Sequence, residues 1–332
     1  MRDVVVFILV GAVCGCGDES GSAGAGGAGG AGGAGGGSAL QEEYILSDQD
    51  LVPESGAYDP VSRAFYVGSA TQGSITRVDA DGTESLFFEP PPSSSLGTFG
   101  LTIDPDARRL WVCVDDTVMM SRSVWTFDMS TGDLEIEFAL ADAAPDASCN
   151  DIALDSEGVA YVSDSDNPRV YRANVDGEAI EIWADDPLLA PPGGALGGNG
   201  IAVTENDRYV LVSKTLPSPS TPPLVRIERT NPENISGVTT TPEITTTTDG
   251  MSFLGGDLYI AGPVSGETFR LTSNDQWQTA SIATSMQQAG TSTVRPAEGD
   301  LYGIYSDIAD RVFGNPLTPP FRIYRIDLAS FE

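Results

Sequence analysis

The segment YDPVSRAFYVGSATQGSITRVDADG, residues 58–82, is echoed by IDPDARRLWVCVDDTVMMSRSVWTFDMSTG at 103–132 and LDSEGVAYVSDSDNPRVYRANVDG at 154–177. Each copy holds the end of one alternating strand, a turn, an aromatic strand such as Phe65-Tyr66-Val67 or Leu110-Trp111-Val112, a loop and a third strand. Weaker copies follow at IAVTENDRYVLVSK, MSFLGGDLYIAG and PAEGDLYGIYSD, each trailed by a further strand: PLVRIE, TFRLT and FRIYRID. The apolar period is two, with no sustained helical period, so the chain reads as all-β. Six copies of about 45 residues predict a six-bladed β-propeller of four-stranded blades, because a two-sheet sandwich would not repeat so long a unit six times. The propeller is expected over residues 41–332, with EEYIL at 42–46 supplying the outer strand of the last blade and closing the ring.

Charge and residue usage exclude several functions. Seventeen Lys and Arg stand against 48 Asp and Glu, a formal charge of -31, so nucleic acid would be repelled. The chain has no histidine, which removes Ser-His-Asp and Cys-His catalysis and His-rich zinc sites. Lys214 is the one lysine, and the glycine run GGALGGNG follows prolines rather than a strand, so neither a phosphate loop nor a dinucleotide fingerprint is credible. Any chemistry must run on carboxylates, amides, hydroxyls or a bound metal.

The amino terminus reads as an address. Arg2 precedes an apolar run at Val4–Val13 that is too short to span a bilayer. The following VCGC resembles the bacterial lipoprotein signal, with residues 1–16 as signal and Cys16 as the lipidated residue; plain secretion is the other reading. Residues 17–40 are a Gly/Ala-rich tether with a reach on the order of 25 Å. The expected location is therefore the bacterial cell envelope, on its periplasmic or surface side, with membrane contact only through the lipid.

Aligning the copies on their turns and aromatic strands puts Glu54, Phe99, Asn150, Asn199, Asp249 and Ser292 at one phase, just before each inner strand, at spacings of 45, 51, 49, 50 and 43. Inner strands line a propeller's channel, so these residues should form a ring around the axis. Asn-Gly and Asp-Gly are ordinary turn formers, and any one of them alone reads as structural. The shared phase argues otherwise. Four oxygen-bearing side chains, Glu54, Asn150, Asn199 and Asp249, suit a hard divalent cation, Ca²⁺ first, with Mg²⁺, Mn²⁺ or Zn²⁺ as the other candidates.

PESGAYDP, CNDIALD, GNGIAV and TDGMSF are where the chain resembles the regucalcin/gluconolactonase family, also known as senescence marker protein-like, in the group that holds diisopropylfluorophosphatase and the paraoxonases. The resemblance implies metal ligands at Glu54, Asn199 and Asp249. It also implies a role for Asn150 as a substrate contact or a further ligand. Asp249 would act as base or nucleophile in metal-assisted hydrolysis of a lactone or related ester. Ser148 and Ile152 stand where the family's Arg-x-Asn-Asp-Gly has Arg and Gly, which removes a charged clamp for sugar hydroxyls or a carboxylate. With so acidic a chain, this points to a small neutral lactone or ester, with Phe99, Ser148 and Asn150 facing it. The alternative is a non-catalytic, metal-containing propeller that binds a ligand or an envelope partner. Cys113 and Cys149 either form a disulfide between adjacent blades or stay as small buried hydrophobes, and no His or Lys is near to activate them.

Overall fold

Each repeat folds into one antiparallel sheet, and the six sheets are arranged as a propeller in a computed structural model that describes residues 38–177, 179–191, 196–215, 222–308 and 314–332. Cys16 and tether residues 17–37 lie outside the described residues. The chain first lays down β1 (Glu43–Ile45). Blade one is β2 (Gly56–Asp59), β3 (Ala64–Gly68), β4 (Ile75–Asp79) and β5 (Glu84–Phe88). Blade two is β6 (Leu96–Asp104), β7 (Arg109–Asp116), β8 (Ser121–Asp128) and β9 (Leu134–Ala139). Blade three is β10 (Ile152–Leu154), β11 (Ala160–Ser163), β12 (Arg169–Asn174) and β13 (Ala179–Asp185). Blade four is β14 (Gly198–Val203), β15 (Tyr209–Lys214), β16 (Leu224–Glu228) and β17 (Asn231–Gly237). After β18 (Thr239–Thr241), blade five is β19 (Met251–Leu254), β20 (Asp257–Gly262), β21 (Glu267–Thr272) and β22 (Thr279–Met286). Blade six is β23 (Thr291–Ala297), β24 (Asp300–Tyr305) and β25 (Arg322–Ile326), completed by β1.

Closure follows the expectation from EEYIL: β1 pairs antiparallel with β25, Tyr44 opposite Ile323. The ring is thus joined by strands from both ends of the propeller, leaving no open edge there. The Pro/Thr-rich stretch after Lys214 supplies regular strands, β16 and β17, in its described part. Its threonines at β18 pair in parallel with β22 and cover the outer edge of blade five.

Asp59, Asp104 and Asp155, the repeated acids of the echoed segments, explain why each inner hairpin turns where it does. Their carboxylates accept backbone N–H bonds two to four residues on, as Asp104 does from Asp106 and Ala107 and Asp155 does from Glu157 and Val159. Two of them also tie adjacent blades, Asp59 through the Arg108 fork at 2.6 and 2.9 Å and Asp155 through Arg229 at 2.9 Å. The aromatic strands fill the spaces between neighbouring blades. Trp111 is fully buried and stacks on Phe138 beside Cys113, Cys149 and Tyr171, in a core shared by blades two and three. Burying a side chain of this kind contributes roughly 2–3 kcal/mol. This inter-blade packing fixes the inner strands around the axis.

Candidate functional site

Ring positions enter the fold in two ways. Glu54, Asn150 and Asp249 precede the first paired residue of their inner strands, whereas Phe99, Asn199 and Ser292 lie within β6, β14 and β23. In those three strands the pairing register slips around the ring residue, between Thr98 and Leu101, Gly198 and Ile201, and Thr291 and Thr293. Such a bulge takes a residue out of the ladder and re-aims its side chain. The alignment's shared phase therefore corresponds to a break in pairing at the leading end of each inner strand.

The backbone at the ring is tied from blade to blade. The carbonyls of Asn150 and Ser292 accept from the N–H groups of Gly100 and Gly250, at 2.8 and 2.9 Å. Those of Asn199 and Asp249 accept from the hydroxyls of Ser163 and Ser213. The glycine after Asn199 has a packing role rather than a turn role: a Cβ on Gly200 would lie 2.4 Å from the Asp249 carbonyl oxygen. Asn-Gly and Asp-Gly thus mark close blade contacts here.

A small, tightly closed cleft lies at this level, lined by Glu54, Ser55, Asn150, Asp151, Asp249, Gly250, Ser292 and Thr293. Glu54, Asp151 and Asp249 are almost wholly buried, at 7, 3 and 7% exposure. Burial pushes the Glu54 carboxyl well above its ordinary range, and the charges of Asp249 and Asp151 push it further. Asp249 is raised well above its ordinary value by burial and by Asp151, against the opposing bonds of the Gly250 N–H and the Asn199 amide. Asp151 is raised by burial, while the Arg295 guanidinium at 3.2 Å and the Ile152 N–H work against the rise.

Several oxygens at this site have no hydrogen-bond partner: Glu54 Oε2, Asn150 Oδ1, Asn199 Oδ1 and Asp151 Oδ2. Leaving such atoms buried and unpaired is costly, typically about 1–3 kcal/mol each. Asn199 keeps its oxygen free because its amide nitrogen donates to Thr215 Oγ1 at 3.0 Å and to the Thr248 carbonyl at 3.4 Å. Carboxylate and amide oxygens left bare in this way are the donor set of a hard cation. Among the described residues no group of three or more His, Cys, Asp or Glu is placed to hold a metal ion. A cation would accordingly depend on the two asparagines as much as on the acids, and the residues present fit one on those terms.

The remaining sequence candidates lie around this cleft rather than among its lining. Phe99 is half-buried and packs on the core shared by blades two and three. Ser148 is buried; its hydroxyl donates to Asp164 Oδ1 at 2.5 Å and accepts from the N–H groups of Ser165 and Asp166. Cys113 and Cys149 are joined as a disulfide with a Cα–Cα distance of 5.5 Å, which holds the residue next to Asn150 against β7. Neither Asp151 nor Arg295 falls at the shared phase of the ring, so the repeat alignment singles out neither. The available signal for Arg295 was its position: a guanidinium in TSTVRPAEG, on an inner strand lining the channel.

Residues 52–298 match the family model described as SMP-30/Gluconolactonase/LRE-like region. No curated protein matches the chain in sequence. Among solved structures, the major allergen Mala s 1 of Malassezia sympodialis is similar at 16% identity, covering 87% of this chain and 97% of its own, with a TM-score of 0.69. A gluconolactonase from Xanthomonas campestris is similar at 15% identity, with 86% and 89% coverage and a TM-score of 0.60. A putative oxidoreductase (glucose dehydrogenase) from Thermus thermophilus is similar at 16% identity, with 85% and 98% coverage and a TM-score of 0.60. At these identities the likenesses show the fold alone.

Proposed function

Because the chain belongs to the SMP-30/gluconolactonase/LRE-like family, we propose that it is a metal-dependent hydrolase acting on a small neutral lactone or related ester. The observation that carries this reading is the set of bare oxygens on Glu54, Asn150 and Asn199 beside the buried carboxylate of Asp249. Those four side chains would hold a divalent cation, Ca²⁺ first among the candidates. When bound, the cation would supply Lewis acidity toward a carbonyl oxygen and lower the pKa of adjacent water. Asp249, whose carboxyl burial and Asp151 push upward, is the group suited to take a proton from the attacking water. Asn150 lines the cleft and can orient the substrate. Phe99 offers an apolar flank, and Ser148, where the family has arginine, leaves no charged clamp for a sugar acid. Cys16 as lipid attachment and residues 17–40 as tether would place this activity at the bacterial cell envelope.

A second reading, a non-catalytic propeller that binds a ligand or envelope partner, draws on Ser148, whose hydroxyl is spent on Asp164 and its neighbours. Turnover separates the two. With a panel of neutral lactones and aryl esters and added Ca²⁺, Mg²⁺, Mn²⁺ or Zn²⁺, the wild type is expected to hydrolyse at least one panel member. Asp249→Asn and Glu54→Gln are expected to lose at least about 100-fold in kcat/KM. Cation binding without turnover of any panel member would favour the binding module.

A further inference from the structure

Arg295 on β23 is 8% exposed and stands against the acid cluster of the cleft. Its Nε donates to the Gly56 carbonyl at 2.7 Å. Its Nη1 donates to the Met251 carbonyl and Ser252 Oγ at 3.1 Å and to the Val294 carbonyl at 3.2 Å. Its Nη2 donates to Ser55 Oγ and Asp151 Oδ1 at 3.2 Å and to the Leu101 carbonyl at 3.4 Å. These acceptors come from blades one, two, three, five and six, so the side chain is held from almost every direction around the axis. A guanidinium has five N–H donors, and seven acceptors already surround them, which leaves none for a substrate. Arg295 is therefore no relocated clamp for the arginine missing at Ser148. What it presents to the cleft is charge: permanent, immobile and poorly screened because it is buried.

We propose that Arg295 sets the charge selectivity of the cation site, as a fixed positive charge that matches the three-carboxylate cleft to doubly rather than triply charged ions. This rests on the reading that the cleft binds a cation. By Coulomb's law a fixed unit charge opposes an ion in proportion to the ion's own charge, and at an effective dielectric of about 20 this is worth roughly tenfold in affinity per ionic charge at about 10 Å and more at shorter range. Removing it should strengthen binding of a trivalent ion about tenfold more than binding of a divalent one.

The test titrates Ca²⁺ and Tb³⁺ by calorimetry into the wild type, Arg295→Gln, which keeps amide donors without the charge, and Arg295→Lys, which keeps the charge. The expected result is a preference for Tb³⁺ over Ca²⁺ raised about tenfold in the Gln variant and held within about twofold of wild type in the Lys variant. Asp151→Asn, which removes a negative charge beside Arg295, should shift the preference the opposite way, and it serves where an Arg295 variant does not fold. An unchanged preference in folded Arg295→Gln, or in Asp151→Asn if that is the variant available, overturns the proposal while leaving the cation site standing. A wild type that binds neither ion overturns the cation reading itself.

Discussion

Freed of divalent cations at pH 8, the Asp249→Asn protein is expected to melt at a higher temperature than the wild type, by a few degrees or about 1–3 kcal/mol. The reason is the cluster of buried acids. Glu54 and Asp249 are raised well above their ordinary values by burial, and Asp249 and Asp151 raise Glu54 further. With folded values above unfolded ones, the native state holds more protons than the unfolded chain between those limits. The stability these two groups contribute is full below the ordinary carboxylate range and is lost as pH rises through the raised folded values. An amide at 249 removes one of the charges at nearly unchanged size and shape. Saturating Ca²⁺ should reverse the order, since the wild type gains stability by mass action and the variant lacks a ligand. Thermal melts in chelator and in Ca²⁺, at pH 5 and pH 8, check both halves. A variant less stable than wild type in chelator would show that Asp249 is a structural carboxylate.

Replacing both Cys113 and Cys149 by alanine is expected to lower the unfolding free energy by about 3–4 kcal/mol and Tm by roughly 5–7 °C. The bridge closes a 36-residue separation, and the loop-closure entropy it withholds from the unfolded chain sets that size. Cys113 is fully buried on β7, and Cys149 lies one residue before Asn150 at the end of the connection into blade three. The same substitution should therefore weaken cation binding by loosening one vertex of the ring. Urea melts of the double variant beside the wild type measure the first effect, and equal midpoints would contradict it. Mass spectrometry of alkylated, unreduced wild type checks the bond directly, because two free thiols would remove the premise.

Six blades, their closure by EEYIL and the level of the ring were legible because a propeller repeats one local solution six times. The alternating strands, the Asp turns at 59, 104 and 155 and the aromatic second strands recur at near-constant spacing. Glu54, Asn150 and Asp249 were found by phase, and the structure brings them to one cleft, with Asn199 bonded to the Thr248 carbonyl beside Asp249. Phase could not say which members open on the cleft, since that depends on where each strand bulges and on what the adjoining hydroxyls hold. Phe99 shows this: it sits at the register slip in β6 and packs on the core shared by blades two and three rather than lining the cleft. Arg295 was illegible for a related reason. Its partners are scattered from Ser55 to Val294, and a single arginine in an inner strand carries no local mark of them.

Calorimetric titration of Ca²⁺ into the chelator-treated wild type, Glu54→Gln and Asn199→Ala tests whether the bare oxygens of the ring hold a cation. One saturable site is expected in the wild type, with a loss of at least about 100-fold in affinity in each variant, because Glu54 Oε2 and Asn199 Oδ1 have no other partner in the fold. Equal binding in all three proteins, or none in the wild type, would contradict that expectation.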